Sequence, residues 1–277
     1  VAYHLPGFLE PFQFKVRWNS MGKPFLSLIL PAYNEARAIL GTLNCIQSYL
    51  ADRGWSYELI VAADGDDGTR EKVGQRAMRD PRLQVLGTAE RGGKGRGIRQ
   101  AVARATGDII GFADADNKTP IEDFDKLLPW FDQGADIVIG SRALADTEIE
   151  NPAPFHRRIG SRFFALGMRT IVGLYDIGDT QCGFKFFRHD VAKQLFAQQR
   201  IDGYMFDVEI LHLARRHRYR VQEVGVRWRG DNDSRLQLLS GNWRNFLDLL
   251  RIRFGAYPQQ AAASAEQREA GQMSRAA

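Results

Sequence analysis

This 277-residue sequence predicts an α/β fold, a single domain with a mostly parallel central sheet flanked by helices, on three observations. Short apolar runs alternate with helical patterns through the first half of the chain. Those runs are near-continuously apolar, as strands covered on both faces are. Polar clusters then follow the runs where strands end, the edge at which open parallel sheets bind ligands.

Taken in order, Leu26–Leu30 is the first strand, with Pro31 as its stop and Asn34 as cap of a helix over Glu35–Leu50. Glu58–Ala62 is the second strand, and Asp67 is placed to cap the helix Thr69–Arg79. Leu83–Leu86 is the third, followed by a helix over Ile98–Ala105, and Asp108–Ala113 is the fourth. A helix over Ile121–Phe131 leads to a fifth apolar run, Asp136–Gly140. The second half loses this regularity. It offers a long helix Phe155–Leu174, a strand Gly183–Phe187, a helix from His189, a helix Phe206–His217, a strand Val221–Arg227 and a helix Asn242–Phe254. Residues 1–23 are expected to form an N-terminal extension, with Val1 or Met21 as the start, residues 24–255 the folded domain, and residues 256–277 a disordered tail.

Apolar content of 44% and charged content of 26% describe an ordinary globular protein. Cys45 and Cys182 stand alone, which supports neither a disulfide framework nor a zinc site and fits a reducing, cytoplasmic setting. No apolar run approaches the roughly 18 residues of a spanning helix. A net charge of +5 favours an anionic partner, whether phosphate, nucleic acid or an acidic membrane surface.

Four strand ends carry the candidate chemistry. The first is Pro31-Ala32-Tyr33-Asn34-Glu35, whose backbone could face a base or ribose, or simply make the turn to the next helix. At the second, Asp64 can accept from a ribose hydroxyl or base N–H, while Asp66 is read as solvated. Arg91–Gly97 follows the third, with small residues, Lys94 and a helix start that together suit an anion, although neither the P-loop spacing nor a dinucleotide fingerprint is present. The fourth ends in Asp114-Ala115-Asp116. In an extended segment these carboxylates project the same way and could share Mg²⁺ or Mn²⁺ with substrate phosphates. The alternative is a helix cap or turn. Together the four ends argue for a nucleotide diphosphate site with a metal.

Pro31–Glu35, the Asp64–Thr69 turn, Gly93-Lys94-Gly95, Thr106-Gly107-Asp108 and Asp114-Ala115-Asp116 resemble family 2 glycosyltransferases of GT-A fold, over about residues 24–255. Gly140-Ser141-Arg142, Asp179–Phe187 and Phe206–Leu211 resemble more narrowly the dolichyl-phosphate β-glucosyltransferase and polyprenyl-phosphate branch. The resemblance implies an inverting, metal-dependent transfer of a hexose, glucose first, from a donor of the UDP-glucose or GDP-mannose type to a polyprenyl phosphate. It assigns the nucleoside to Asp64, with Pro31, Ala32, Tyr33, Asn34, Glu35 and Lys94 alongside, and the metal and diphosphate to Asp114 and Asp116. The sequence departs from the family where Ala63 replaces the usual first acid and the turn is one residue short, so Asp64 and Asp66 both stay open.

Arg142, Lys185, Arg157 and Arg158 are the candidates to position an acceptor phosphate. Asp207 or Glu209 could act as a base for a hydroxyl acceptor, and since they project differently from one helix only one should face the site. His156, His189, His212 and His217 are read as structural or surface groups, Trp228 and Trp243 as packing, and Asp231–Arg235 as a loop that closes over the site. Phe155–Leu174 and Asn242–Phe254 mix arginine with large apolar residues, which suits either core packing or a peripheral place on the inner face of an anionic membrane. The rivals are a family 2 enzyme with a soluble hydroxyl acceptor and a non-catalytic nucleotide or nucleic-acid binding module.

Overall fold

The strand β1 (Leu26–Tyr33) lies inside the sheet, with a neighbour on each side, and its apolar residues are covered on both faces. A computed structural model describes residues 22–151, 167–230 and 242–257. β1 pairs in parallel with β2 (Tyr57–Asp64) on one side and with β4 (Ile109–Ala113) on the other, and β3 (Leu83–Leu86) extends the sheet beyond β2. The helices α1 (Ile39–Asp52), α2 (Thr69–Ala77) and α3 (Lys94–Arg104) connect these strands. A turn of 3₁₀ helix, Ile121–Asp123, and α4 (Phe124–Asp132) lead to β5 (Ile137–Ser141).

The second half inserts rather than appends. β7 (Phe184–Arg188) runs antiparallel between β4 and β5, and β8 (Val221–Gly225) pairs in parallel with β5. The sheet order is therefore β3-β2-β1-β4-β7-β5-β8. A short parallel pair, β6 (Glu148–Glu150) with β9 (Arg227–Arg229), stands apart from it. Helical residues 167–172 (α5), α6 (His189–Gln198), α7 (Phe206–Arg216) and α8 (Asn242–Phe254) complete the described chain.

Each face of the sheet has its own core. On one, Leu28, Leu30, Leu59 and Val61 meet Ile39, Leu43, Ile46 and Leu50 of α1 and Phe124, Leu127 and Phe131 of α4. On the other, Ile29, Ile60, Phe112 and Ile139 meet Ile98 of α3, Leu195 of α6, Phe206 and Ile210 of α7 and Ile252 of α8. The apolar spacing of α1, at i, i+4, i+7 and i+11, is what aims one stripe at the sheet. Its end is set by Gly54, whose φ of 64° suits the left-handed position after a helix.

Four expectations need correcting. Pro31 does not stop β1, which continues through it to Tyr33. Pairing with β4 ends at Ile29, so Pro31 sits where the strand has one neighbour and its missing N–H is tolerated. Asn34 does not cap α1, which starts at Ile39 and has no side-chain cap. The run Val221–Arg227 breaks at Val226 into β8 and β9. The fold also reaches past residue 255, since the Tyr257 hydroxyl donates to Glu209 at 2.8 Å and Arg200 donates to the Ala256 carbonyl. Residues 1–21 and 258–277 lie outside the described residues.

Candidate active site

The C-terminal ends of β1, β2 and β4 and the start of α3 lie at one edge of the sheet, because parallel strands point their C-terminal ends the same way. Tyr33 lies opposite Asp64 in the β1–β2 register. The Asp64 carboxylate accepts from the backbone N–H of Thr88 at 3.1 Å and of Gly92 at 2.8 Å, which fastens the β3–α3 loop against β2. On that loop, the Arg91 guanidinium stacks 4.4 Å from the Tyr33 ring centre and donates to the Tyr204 hydroxyl at 3.2 Å. Asp67 accepts from the N–H groups of Ala36 and Thr69, which ties the β1–α1 and β2–α2 turns together; its role is structural as expected, although the N-cap of α2 is Gly68 and not Asp67. Asn34, at φ 55°, keeps its Oδ1 buried without a hydrogen-bond partner. An orphan acceptor at that edge is the kind of atom a bound N–H or hydroxyl would satisfy.

Asp114 is the hub. It follows β4 directly and continues the alternation of Ile110 and Phe112 towards the layer of α3 and α7. There the Lys94 ammonium, on the first residue of α3, donates to Asp114 Oδ1 at 2.6 Å. Burial resists ionisation of Asp114, yet the charges of Lys94, Arg142 and Lys118 hold its carboxyl below the usual range. Burial likewise pulls Lys94 down, and the carboxylates of Asp114 and Asp207 outweigh it, so Lys94 is raised and stays protonated. Asp116 pairs with Lys118 Nζ at 2.9 Å.

The extended geometry invoked for Asp114 and Asp116 is not what presents them. The chain turns after Ala113, closed by the Asn117 N–H on the Asp114 carbonyl at 3.2 Å with Asn117 at φ 54°. A tight turn, not a strand, brings out the two carboxylates.

The second half of the chain supplies a buttress that sequence reasoning missed. Arg142 donates from its backbone N–H, Nε and Nη2 to the carboxylate of Asp179, at 3.0, 2.7 and 2.9 Å. Burial opposes the Asp179 charge, but the Arg142 guanidinium holds its carboxyl down at about 2. Glu223 of β8 in turn accepts from the N–H groups of Gly178 and Asp179. Asp179 was visible only as the first residue of the Asp179–Phe187 motif, with no role of its own. Asp123 was missed as well; it is buried and accepts from the Arg227 N–H at 2.6 Å and Nε at 2.8 Å, fixing the break between β8 and β9.

Two proposed groups move away from the acceptor. Lys185 is wholly buried, and its ammonium donates to the Cys182 carbonyl and to Asp207 Oδ1, both at 2.6 Å. It is neither a surface lysine nor placed to touch an acceptor phosphate. Glu209 is also fully buried, accepting from the N–H groups of Arg200 and Ile201 and from the Tyr257 hydroxyl, so it braces the loop before α7 and is no base. Asp207, two residues earlier, is buried on its bond to Lys185 but lies within the charge field of Lys94 and Asp114; burial pushes its carboxyl up against the pull of Lys185 and Lys94. Arg142 borders the site, with its guanidinium 5.4 Å from the Trp228 ring centre. His189 donates from Nδ1 to the Gly107 carbonyl at 2.8 Å, and His212 and His217 are buried, all within the fold. Trp243, expected to pack, is 73% exposed. His156, Arg157, Arg158 and Asp231–Arg235 lie outside the described residues.

Comparison with known proteins places this geometry. Residues 27–196 match the sequence profile of glycosyl transferase family 2. A dolichyl-phosphate beta-glucosyltransferase of Trichomonas vaginalis is 34% identical over 246 residues, covering 84% of this chain and 72% of that protein. The human dolichyl-phosphate beta-glucosyltransferase is 31% identical over 253 residues, 85% and 76% of the two chains. Among solved structures, the glucosyl-3-phosphoglycerate synthase of Mycobacterium tuberculosis, crystallised with Mn²⁺, UDP and glucosyl-3-phosphoglycerate, superposes with a TM-score of 0.60 over 85% of this chain and 82% of that one. At 22% identity it shows the fold, which is GT-A.

Proposed function

Since the chain belongs to glycosyl transferase family 2, we propose that this glycosyltransferase moves glucose from UDP-glucose to a polyprenyl phosphate of dolichyl type, with inversion at the anomeric carbon. One juxtaposition carries the donor side of the reading: Asp114, ionised and paired with Lys94, beside Asp116 at the sheet edge where parallel strands present a diphosphate. The acceptor follows from the dolichyl-phosphate relatives, which this chain matches over most of its length.

The donor set fits a divalent cation. Asp114 and Asp116 offer hard carboxylate oxygens on half-exposed side chains, and each already draws a lysine ammonium to itself. Among the described residues no cluster of three or more histidine, cysteine or acidic side chains could hold a metal. Two carboxylates completed by diphosphate oxygens and water is the arrangement Mg²⁺ or Mn²⁺ accepts. Bound there, the cation would neutralise charge building on the departing diphosphate.

The protein's own groups do the rest. Lys94 keeps a positive charge beside the leaving group, where a fixed cation is worth most in a water-poor site. Arg142, locked by Asp179, offers an immobile guanidinium at the border with the acceptor side. A phosphate monoester has its second pKa near 6 and is already an anion at neutral pH, so positioning matters more than deprotonation. That agrees with the withdrawal of Glu209 into the fold. For a hydroxyl acceptor, Asp207 is the carboxylate that remains within the charge field of Lys94 and Asp114.

The test is direct. The protein is incubated with Mn²⁺ or Mg²⁺, labelled UDP-glucose or GDP-mannose, and either polyprenyl phosphate or soluble hydroxyl acceptors, then extracted with organic solvent. Label in the organic phase from UDP-glucose, abolished by EDTA and reduced on the order of 10²-fold or more in Asp116→Ala, is the expected result. Transfer only to a water-soluble acceptor overturns the lipid reading.

A further inference from the structure

The helix α8 carries two apolar faces, and among the described residues one of them packs in the core while the other reaches solvent. At 3.6 residues per turn, Leu249 and Ile252 point to one side, where both are buried in the core with α7. Trp243, Leu247, Leu250 and Phe254, spaced by four, three and four residues, form a stripe on the opposite side. Trp243 is 73% and Phe254 78% exposed, and Phe246, next to the stripe, stacks on Trp243 with ring centres 5.6 Å apart. Core packing accounts for the first face and says nothing of the second. Leu247 is 36% exposed and Leu250 half-buried between these two ends, and an apolar row that reaches solvent in this way marks a docking surface.

What covers it is indicated by its borders. Arg244 and Arg251 run along one edge of the stripe and Arg253 along the other, all exposed. The only acid in α8, Asp248, turns inward and pairs with Arg251 at 3.0 Å. An apolar ridge with a tryptophan at one end and arginines on both flanks matches the boundary between acyl chains and anionic headgroups. The arginines then meet phosphate while the rings enter the boundary layer.

Resting on the lipid-acceptor reading above, we propose that the outward stripe of α8 docks the protein on an anionic membrane surface. The described residues contain no helix long and apolar enough to cross a membrane, so the contact is one of lying on the surface. The helix shares its side of the sheet with the catalytic layer. Leu249 and Ile252 pack in the same core as Ile98 of α3 and Phe206 of α7, and Tyr257, just beyond α8, bonds Glu209 on α7. A membrane that holds α8 therefore lies on the same side of the sheet as α3 and α7, the helices that carry Lys94 and Asp207.

The experiment uses the whole chain and two vesicle types, phosphatidylcholine alone and phosphatidylcholine mixed with phosphatidylglycerol. Co-sedimentation should be strong with the mixed vesicles and weak with the neutral ones, and Trp243→Ser/Phe254→Ser should reduce it by about tenfold or more. Both positions are exposed, so the variant should keep its thermal midpoint and its transfer to a short-chain polyprenyl phosphate in solution. Equal sedimentation on both vesicle types, or no effect of the double substitution, overturns the proposal. So does a lipid-free dimer that the same substitutions dissociate, which would make a second copy the occupant. Loss of transfer to every lipid phosphate in both proteins would instead count against the functional reading, leaving the vesicle result to stand or fall alone.

Discussion

Gly183 lies where an added Cβ would meet Asp114 Oδ2 at 2.2 Å. Glycine is thus required there by the approach of the Asp114 carboxylate, the proposed metal ligand. Gly183→Ala must push Asp114 off Lys94 or shift β7, and displacement of a group that orients a metal ligand lowers metal affinity about 10–100-fold. The expected outcome is a matching rise in the Mn²⁺ concentration for half-maximal transfer, read in a metal titration of wild type and variant. Asp179 gives a second test at this scale. Asp179→Asn should lower stability by about 3 kcal/mol at neutral pH, since it leaves the Arg142 guanidinium without its carboxylate. The folded carboxyl titrates at about 2, below the ordinary value near 4, so its contribution is complete above pH 4 and fades as pH falls towards 2. Urea midpoints of the two proteins should converge over that window; a gap constant with pH would show that Asp179 acts by shape alone. Sequence reasoning could say that Asp207 and Glu209 face different ways but not which lies nearer the site, because that depends on Tyr257, nearly fifty residues on.

At the level of elements, the segment Arg91–Gly97 gives its small residues a packing role that the sequence did not suggest. Its glycines suggested a cradle for an anion. In the structure a Cβ at Gly95 would fall 2.5 Å from the Ile201 carbonyl, 2.7 Å from Phe206 Cβ and 2.8 Å from Gln199 Nε2. The small residue lets α3 press against the segment leading into α7, and that contact holds Lys94 over Asp114. No local pattern contains this information, since the partner lies a hundred residues away. Gly95→Ala should lower stability by about 1–3 kcal/mol through overpacking, measured as the shift in urea midpoint. Transfer should fall further than stability explains, because α3 carries Lys94. The strands β1 to β5, by contrast, were legible: each is a buried apolar run bounded by turn formers, and burial on both faces of a parallel sheet writes itself into composition. β6 was not, being three exposed residues that pair only with β9.

For the whole molecule, the antiparallel strand β7 is the seam between the donor half, β1 to β4, and the half built on β5 and β8. Its place in the sheet order could not be read from sequence, because it depends on pairing with two strands that both precede it by many residues. Lys185 is the second residue of that seam, opposite Phe112 on one side and Ile139 on the other, and its bond to Asp207 joins the seam to α7. A buried pair of this kind adds little net stability, whereas removing one partner costs about 3–5 kcal/mol by stranding the other charge. Lys185→Met should therefore be strongly destabilised, and Lys185→Met/Asp207→Leu should regain most of the loss, both read from urea midpoints. The activities then separate two roles. If the pair serves only to join β7 to α7, the refolded double variant transfers glucose at the wild-type rate. The charge linkage of Asp207 with Lys94 and Asp114 argues for the other outcome: a double variant that folds, retains its apolar contacts, and transfers at least tenfold more slowly, since Lys94 has lost one of the two carboxylates that hold its charge.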